Sequence, residues 1–420
     1  MAKLTVRDLD VRGKRVLMRV DFNVPMESKD GQMVITDVTR IKATLPTLDL
    51  LIHKGARIIL AAHLGRPKGK PEPSCSLRPV AAKLADLLGC DVNFADDCIG
   101  EKVEQLAKEL PGGGILLLEN VRFHPEEESK DEAIRLPFAE KLARPAELYV
   151  NDAFGAAHRA HASTATVAKV IAGRGGPCAA GLLMERELKF LGEVLESPAR
   201  PFVVLLGGAK VSDKIKVINR LLDKADTLLI GGAMACTFIL AHGRKTGKSL
   251  VEPEHKQTAL DAEAKARQRN VQFLLPTDAV IATPADTGKL NSKGKPVLDY
   301  VNPRTISGDI PEDSQILDIG PATAKGYTEA LRGARTILWN GPMGLFEDKR
   351  FAAGTEAVAR AVADATQAGA RSIIGGGDSV KALNQAGLGD KITFMSTGGG
   401  AALEFLEGKV LPGVAALDDK

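Results

Sequence analysis

The sequence predicts an α/β protein built as two doubly wound, parallel-sheet, Rossmann-like domains. Three observations carry this. Apolar runs alternate with segments of helical spacing along the whole chain. The runs are apolar throughout rather than alternating, as strands covered on both faces must be. The ladder is played twice, with a break between Ala172 and Pro201.

In the first half the strand runs are RVLMRV, RIILAAH, ILLLE and ELYV, with helices predicted near 40–54, 79–89, 101–110 and 133–142. Ile41, Leu45, Leu48, Leu51 and Ile52 recur at helical spacing, which places Pro46 in the first turns of that helix. In the second half PFVVLL, TLLIGG, VQFLLP, TILWN, RSIIGG and KITFMS alternate with helices near 212–224, 233–242, 254–269, 355–368 and 379–386. Between the halves, Leu183, Leu188, Leu191, Val194 and Leu195 mark a helix over 182–196 that Ser197-Pro198 ends. The stretch 284–315 lacks periodicity and reads as loops. Glu126-Glu127-Glu128 reads as a solvated surface turn.

Composition is ordinary for a globular chain: 420 residues, 44% apolar, 26% charged, formal net charge +3. Nothing in that balance points to nucleic acid or a membrane surface. The apolar runs are too short to span a bilayer. The five cysteines include no Cys-x-x-Cys pair, which suits reduced thiols in a cytoplasmic compartment. His158 and His161 could share a helix face, but a structural or anion-contacting role outweighs a zinc site.

The polar clusters fall after strand ends, where ligands bind in open α/β sheets. In the second half these ends carry glycine: Gly207-Gly208-Ala209-Lys210, Gly375-Gly376-Gly377-Asp378-Ser379 and Thr397-Gly398-Gly399-Gly400. Glycine turns opening onto helices expose N–H groups to an anion. With Lys210, Lys214 and Asp378 beside them, they suggest a polyphosphate and its metal ion. In the first half the ends carry Asp21 and Asn23, His63 and Arg66, Arg122, and Arg159, a set suited to a small, highly charged anion. A turn glycine or a solvated arginine is the bland alternative for each cluster taken alone.

Other motifs fail. Gly243-Arg244-Lys245-Thr246-Gly247-Lys248-Ser249 is one residue short of a P-loop and follows a predicted helix, so it reads as a basic surface turn. No Gly-x-Gly-x-x-Gly supports a dinucleotide dehydrogenase. No serine or cysteine has a base beside it. Phosphate-binding parts without a covalent nucleophile suit direct phosphoryl transfer.

At Arg19-Val20-Asp21-Phe22-Asn23-Val24-Pro25, His63-Leu64-Gly65-Arg66-Pro67, Glu119-Asn120-Val121-Arg122-Phe123, Asn151-Asp152-Ala153-Phe154-Gly155, Gly207 to Lys214, Trp339-Asn340-Gly341-Pro342-Met343-Gly344, Gly375 to Ser379 and Ser396 to Ala401, the chain resembles phosphoglycerate kinase along essentially its whole length. The resemblance implies phosphoryl transfer from 1,3-bisphosphoglycerate to ADP, giving 3-phosphoglycerate and ATP, with Mg²⁺. It implies a monomer, a cleft between two domains and hinge closure. It divides the chain into a 3-phosphoglycerate domain (1–180), a connecting helix (181–200), a nucleotide domain (201–399) and a segment 400–420 that packs back on the first. By the same resemblance, Asp21, Asn23, Arg40, His63, Arg66, Arg122 and Arg159 hold the glycerate. Arg40 and Lys214, with the N–H groups of Gly376 and Gly399, act on the transferring group. Lys210, Gly231, Gly232, Asn340, Pro342, Glu347, Gly375, Gly377 and Ser379 complete the nucleotide site, with Ser379 keeping a hydroxyl where threonine is often found. Asp378 takes the metal. Phe394 stands where many relatives have histidine. A catalytically silent nucleotide-binding module would keep the glycines but could lose Arg40, Lys214 or Asp378, and all three are present.

Overall fold

The computed structural model describes residues 3–290, 294 and 296–420. The chain forms two compact units, Met1–Lys189 with Lys409–Lys420, and Phe190–Gly408.

The first unit contains strands β1 (Arg15–Arg19), β2 (Met26–Lys29), β3 (Gln32–Ile35), β4 (Arg57–Ala61), β5 (Val92–Phe94), β6 (Ile115–Leu117), β7 (Leu148–Asn151) and β8 (Cys178–Ala180). Six of them form one sheet in the order β5-β6-β4-β1-β7-β8, parallel at every pairing. β2 and β3 make a separate hairpin. Helices α1 (Thr39–His53), α2 (Arg78–Leu88), α3 (Glu101–Glu109), α4 (Glu132–Ala143) and α5 (Val167–Gly173) connect the strands. Val16, Met18, Ile58, Leu60 and Ile115 from the sheet pack with Ile41, Leu48 and Leu51 of α1 and Val80 and Leu84 of α2. Pro46 lies in the middle of α1, not in its first turns. A proline there forgoes one helical hydrogen bond, and the burial of Ile41, Thr44, Thr47, Leu48 and Leu51 along the same helix outweighs that loss.

α6 (Leu182–Glu196) is continuous, and the division between the units falls within it. The second unit contains β9 (Phe202–Leu206), β10 (Thr227–Ile230), β11 (Gln272–Leu274), β12 (Ala279–Leu290), β13 (Pro296–Ile306), β14 (Gln315–Ile319), β15 (Thr336–Asn340), β16 (Arg371–Gly375) and β17 (Phe394–Met395). Its main sheet runs β11-β10-β9-β15-β16-β17, again wholly parallel. Its helices are α7 (Ile215–Leu221), α8 (Met234–Ala241), α9 (Lys256–Gln268), α10 (Pro321–Leu331), α11 (Ala353–Gln367), α12 (Gly377–Gln385) and α13 (Gly400–Leu406). Trp339, Val203, Leu205 and Ile374 meet Tyr327, Val358 and Val362 in its core.

Two expectations change here. The stretch 284–315 is not irregular: β12 and β13 form a long antiparallel hairpin, extended by β14. Nearly all of β13 is exposed, so no buried face imposed an apolar pattern on it. Residues 291–293 and 295 of that stretch lie outside the described residues. The terminal segment also divides later than 400. α13 belongs to the second unit, whereas 409–420, with α14 (Pro412–Ala415), belong to the first. There Leu4 N–H donates to Asp418 O at 2.8 Å and Gly413 N–H to Ala157 O at 2.8 Å.

Candidate active site

In both main sheets the chain leaves the first strand in one direction and later returns on its other side. The switch falls between β1 and β7 in one sheet and between β9 and β15 in the other. Such a point opens a crevice at the carboxyl ends of the strands.

In the first unit, loops after β1, β4 and β6 interlock. Gly65 N–H donates to Asn23 Oδ1 at 2.9 Å, and Arg122 donates through Nη1 to Gly65 O at 2.8 Å. Asn120 Nδ2 donates to Leu64 O and Cys75 O, which fixes the β4 loop against the β6 loop. Arg40, second residue of α1, donates through Nη1 to both carboxylate oxygens of Asp21 at 2.9 Å. Arg122 is buried and pairs with Glu128 at 2.9 Å. His63 is buried, and burial, then the nearby guanidinium charges of Arg19 and Arg122, push its pKa well down. Arg66 and Arg159 are exposed, and Arg159 Nε donates to His158 Nε2 at 3.1 Å. The structure thus joins Asp21, Asn23, Arg40, His63 and Arg122 in one polar constellation, with Arg66 and Arg159 on its connecting loops. Such a dense group of arginines around a neutral imidazole can hold a small polyanion.

Two sequence expectations fail in this region. Glu126–Glu128 is not a solvated turn. It is a 3₁₀ turn, and Glu127 is fully buried. Its carboxylate accepts from Ser163 N at 2.9 Å and Ser163 Oγ at 2.6 Å, a sequestered partner that a run of acidic residues gives no sign of. His158 and His161 share no helix face, because His158 lies in a turn and His161 precedes the π-helical turn 162–166. Burial and Arg122 hold His161 down to about 3. Sequence reasoning also assigned no role to Arg19, which is fully buried and reaches Nδ1 of His63 at 2.9 Å. A charged residue inside the buried run RVLMRV was the available signal, since buried arginine must be paired.

In the second unit the glycines line up along consecutive strand ends: Gly231-Gly232 after β10, Gly207-Gly208 after β9, Gly341 after β15 and Gly375-Gly376 at β16. Close backbone approach explains Gly207. A Cβ there would stand 2.1 Å from Pro342 O. Gly207 N–H donates to Asn340 O at 3.0 Å, Gly208 N–H to Pro342 O at 3.2 Å, and Gly232 N–H to Met343 O at 2.9 Å. Lys214, at the start of α7, is buried and donates to Asn340 O at 2.8 Å and to Asn340 Oδ1. Burial pulls its pKa down to about 8, opposed by Asp213 and Asp378. Asp378 is exposed in the first turn of α12, directly after Gly376 (φ +86°) and Gly377. Gly399 caps the N-terminus of α13 with φ +51°. Lys210 and Glu347 are exposed. The Ser379 hydroxyl is fully buried and accepts from Gly341 N–H at 2.6 Å, so it braces the Asn340–Pro342 turn.

The family model of phosphoglycerate kinase matches residues 6–409. A phosphoglycerate kinase from Acidobacterium capsulatum is 52% identical over the full length of both chains. The chloroplastic phosphoglycerate kinase of Volvox carteri is 50% identical over all of this chain and 87% of its own. The structure of phosphoglycerate kinase from Coxiella burnetii superposes with a TM-score of 0.80 at 39% identity, covering 99% of this chain and 98% of that one. The chain belongs to the phosphoglycerate kinase family. It is therefore a phosphotransferase with a carboxyl group as acceptor, and reversible transfer between 1,3-bisphosphoglycerate and ADP is the reaction of that family. Where many phosphoglycerate kinases have histidine, Phe394 stacks on Phe190 with ring centroids 4.6 Å apart, so an apolar contact occupies that place. A groove of about 460 Å³ lined by Pro321, Ala324, Lys325, Ala353 and Ala357 contains none of the expected nucleotide residues. Among the described residues no helix is long and apolar enough to cross a membrane.

Proposed function

We propose that the first unit binds 3-phosphoglycerate or 1,3-bisphosphoglycerate through Asp21, Asn23, Arg40, His63, Arg66, Arg122 and Arg159, and that the second binds ADP or ATP. The observation that carries the nucleotide half is Lys214. A buried ammonium is costly unless an anion is destined for it, and this one lies at the switch point between Gly207 and Asn340. Lys214 neutralises charge on the nucleotide's transferring phosphoryl group, and Arg40, oriented by Asp21, keeps further guanidinium donors for a phosphoryl oxygen. N–H groups of Gly376 and Gly399, at the starts of α12 and α13, face the developing charge. Gly231, Gly232 and Pro342 line the adenine, Glu347 takes the ribose, and Lys210, Asn340, Gly375, Gly377 and the Ser379 backbone complete the phosphate cradle.

The donor set fits Mg²⁺. Asp378 is an exposed carboxylate beside a bare glycine turn and within electrostatic range of Lys214. One carboxylate together with phosphate oxygens is a familiar Mg²⁺ environment. The ion would neutralise nucleotide phosphate charge there. On this reading the enzyme acts as a monomer in the cytoplasm. Its five free cysteines support a reducing compartment, and sedimentation at the 44.5 kDa chain mass tests the monomer.

The test is a coupled assay with 3-phosphoglycerate, MgATP and a dehydrogenase that consumes the acyl phosphate. Turnover should require all three components and the metal. Folded protein without turnover above background would overturn the assignment.

A further inference from the structure

Behind the ligand-facing side chains of the first unit lies a chain of buried polar groups. Arg19 and Glu127 are fully buried, and Ser163 is 1% exposed. A buried guanidinium needs a counter-charge and acceptors for its protons. Glu127 lies nearby, its pKa raised by burial and drawn back by Arg19, and Ser163 bridges the two side chains. Ser163 donates to Glu127 from its N–H at 2.9 Å and from Oγ at 2.6 Å, while Ser163 Oγ accepts from Arg19 Nε at 2.8 Å. Arg19 Nη1 donates to Val20 O, and Nη2 lies 2.9 Å from His63 Nδ1.

The donor inventory then fixes the imidazole. Arginine has no acceptor and stays protonated, so Nδ1 of His63 must accept. The ring proton sits on Nε2. The opposite tautomer, or an imidazolium, would set two donors against each other at that distance. Burial and the charges of Arg19 and Arg122 also keep the ring neutral.

We infer that Glu127 and Ser163 are positioning residues that hold Arg19 against His63 and so fix its Nε2–H tautomer. This rests on the reading of His63 as a glycerate contact. A neutral ring presenting Nε2–H gives an incoming anionic oxygen a hydrogen-bond donor in one fixed place. Neither Glu127 nor Ser163 needs to touch substrate.

The test uses the full chain labelled with ¹⁵N-histidine, with His63 assigned by loss of its signals in His63→Gln. Without ligand, His63 should show an unprotonated Nδ1 and a protonated Nε2 between about pH 6 and 8. In Ser163→Ala the single-tautomer signature should disappear, and KM for 3-phosphoglycerate should rise about tenfold, the scale of one lost hydrogen bond. KM for MgATP should not move, and Ser163→Thr, which keeps the hydroxyl, should restore both readouts. An Nδ1–H tautomer or an imidazolium in the wild type overturns the inference, whether or not the variant folds. So does a folded Ser163→Ala with wild-type tautomer and KM. If the tautomer is as stated but added 3-phosphoglycerate leaves the His63 nitrogens unshifted, the tautomer clamp stands and the glycerate reading of His63 falls.

Discussion

The ammonium of Lys214 lies 2.8 Å from the carbonyl oxygen of Asn340, and the side chain is buried. The contact joins the start of α7 to the end of β15 across the switch point of the sheet. It holds a charge in place before any phosphate arrives.

That charge should be visible in pH profiles. Burial brings Lys214 down to about 8, so in the free enzyme it is charged below that pH and neutral above it. kcat/KM for MgATP reports the free enzyme and should decline above about pH 8. With nucleotide bound, phosphate charge raises the pKa, and the decline in kcat should move to higher pH. Lys214→Arg does not titrate in this range and should lose the descending limb at a lower plateau. An unchanged limb in that variant would assign it to another group.

Arg40 spends Nη1 on Asp21 and is half-exposed. A contact made mainly in the transition state lowers kcat and kcat/KM together when removed. Arg40→Ala should lose kcat by ~10² or more, the scale of one preorganised electrostatic contact. A rise in KM alone would make Arg40 a ground-state anchor.

Lys214 stood out in the sequence because it follows the glycine turn after the strand run PFVVLL, whereas Arg40, at a helix start after the β2–β3 hairpin, came only from the family resemblance. The parallel sheets were legible for a related reason: strands such as β4 and β9 are buried on both faces and had to be apolar runs. β12 and β13 were not, since an exposed hairpin imposes no such pattern. Glu127 reads as surface because its partners, Ser163 and Arg19, are distant in sequence and only the fold brings them together. The bond from Gly341 N–H to the Ser379 hydroxyl was equally hidden, since residues 341 and 379 meet only in the fold.

Asp378 separates the two substrates. Asp378→Asn keeps the shape but weakens a hard cation ligand. Productive MgADP binding and turnover should fall while 3-phosphoglycerate affinity stays near wild type, as titration calorimetry with each ligand can check. Equal loss of both affinities would indicate damage to the fold.

Gly207 tests the close approach of two strand ends. In Gly207→Ala the new Cβ would meet Pro342 O at 2.1 Å and Gly341 O at 2.7 Å, both backbone atoms that cannot swing aside. The variant should lose roughly 1–3 kcal/mol, the range for overpacking. The only tryptophan, Trp339, is buried in the neighbouring β15, so its fluorescence in urea reads this unit. A wild-type midpoint would show that the turn relaxes freely.

Asp152 offers a pH-dependent test at the start of α6. Its buried carboxylate accepts from Leu183 N at 2.9 Å and Met184 N at 3.1 Å, and burial pushes its pKa up to about 6 despite those bonds. The unfolded chain releases this proton near 3.8. Between those values the folded protein holds a proton that the unfolded chain has lost. Stability from this group therefore falls as pH rises through the interval, by up to about 1.4 kcal/mol per pH unit, and levels off above it. Asp152→Asn keeps an acceptor for the two amides but cannot titrate. Protection of the Leu183 and Met184 amides from hydrogen exchange, taken as the ratio of variant to wild type at each pH, should rise from about pH 4 to about pH 6 and then stay flat. A ratio independent of pH would mean that Asp152 is ionised throughout and that the two amide bonds, with Thr47 beside them, outweigh the cost of its burial.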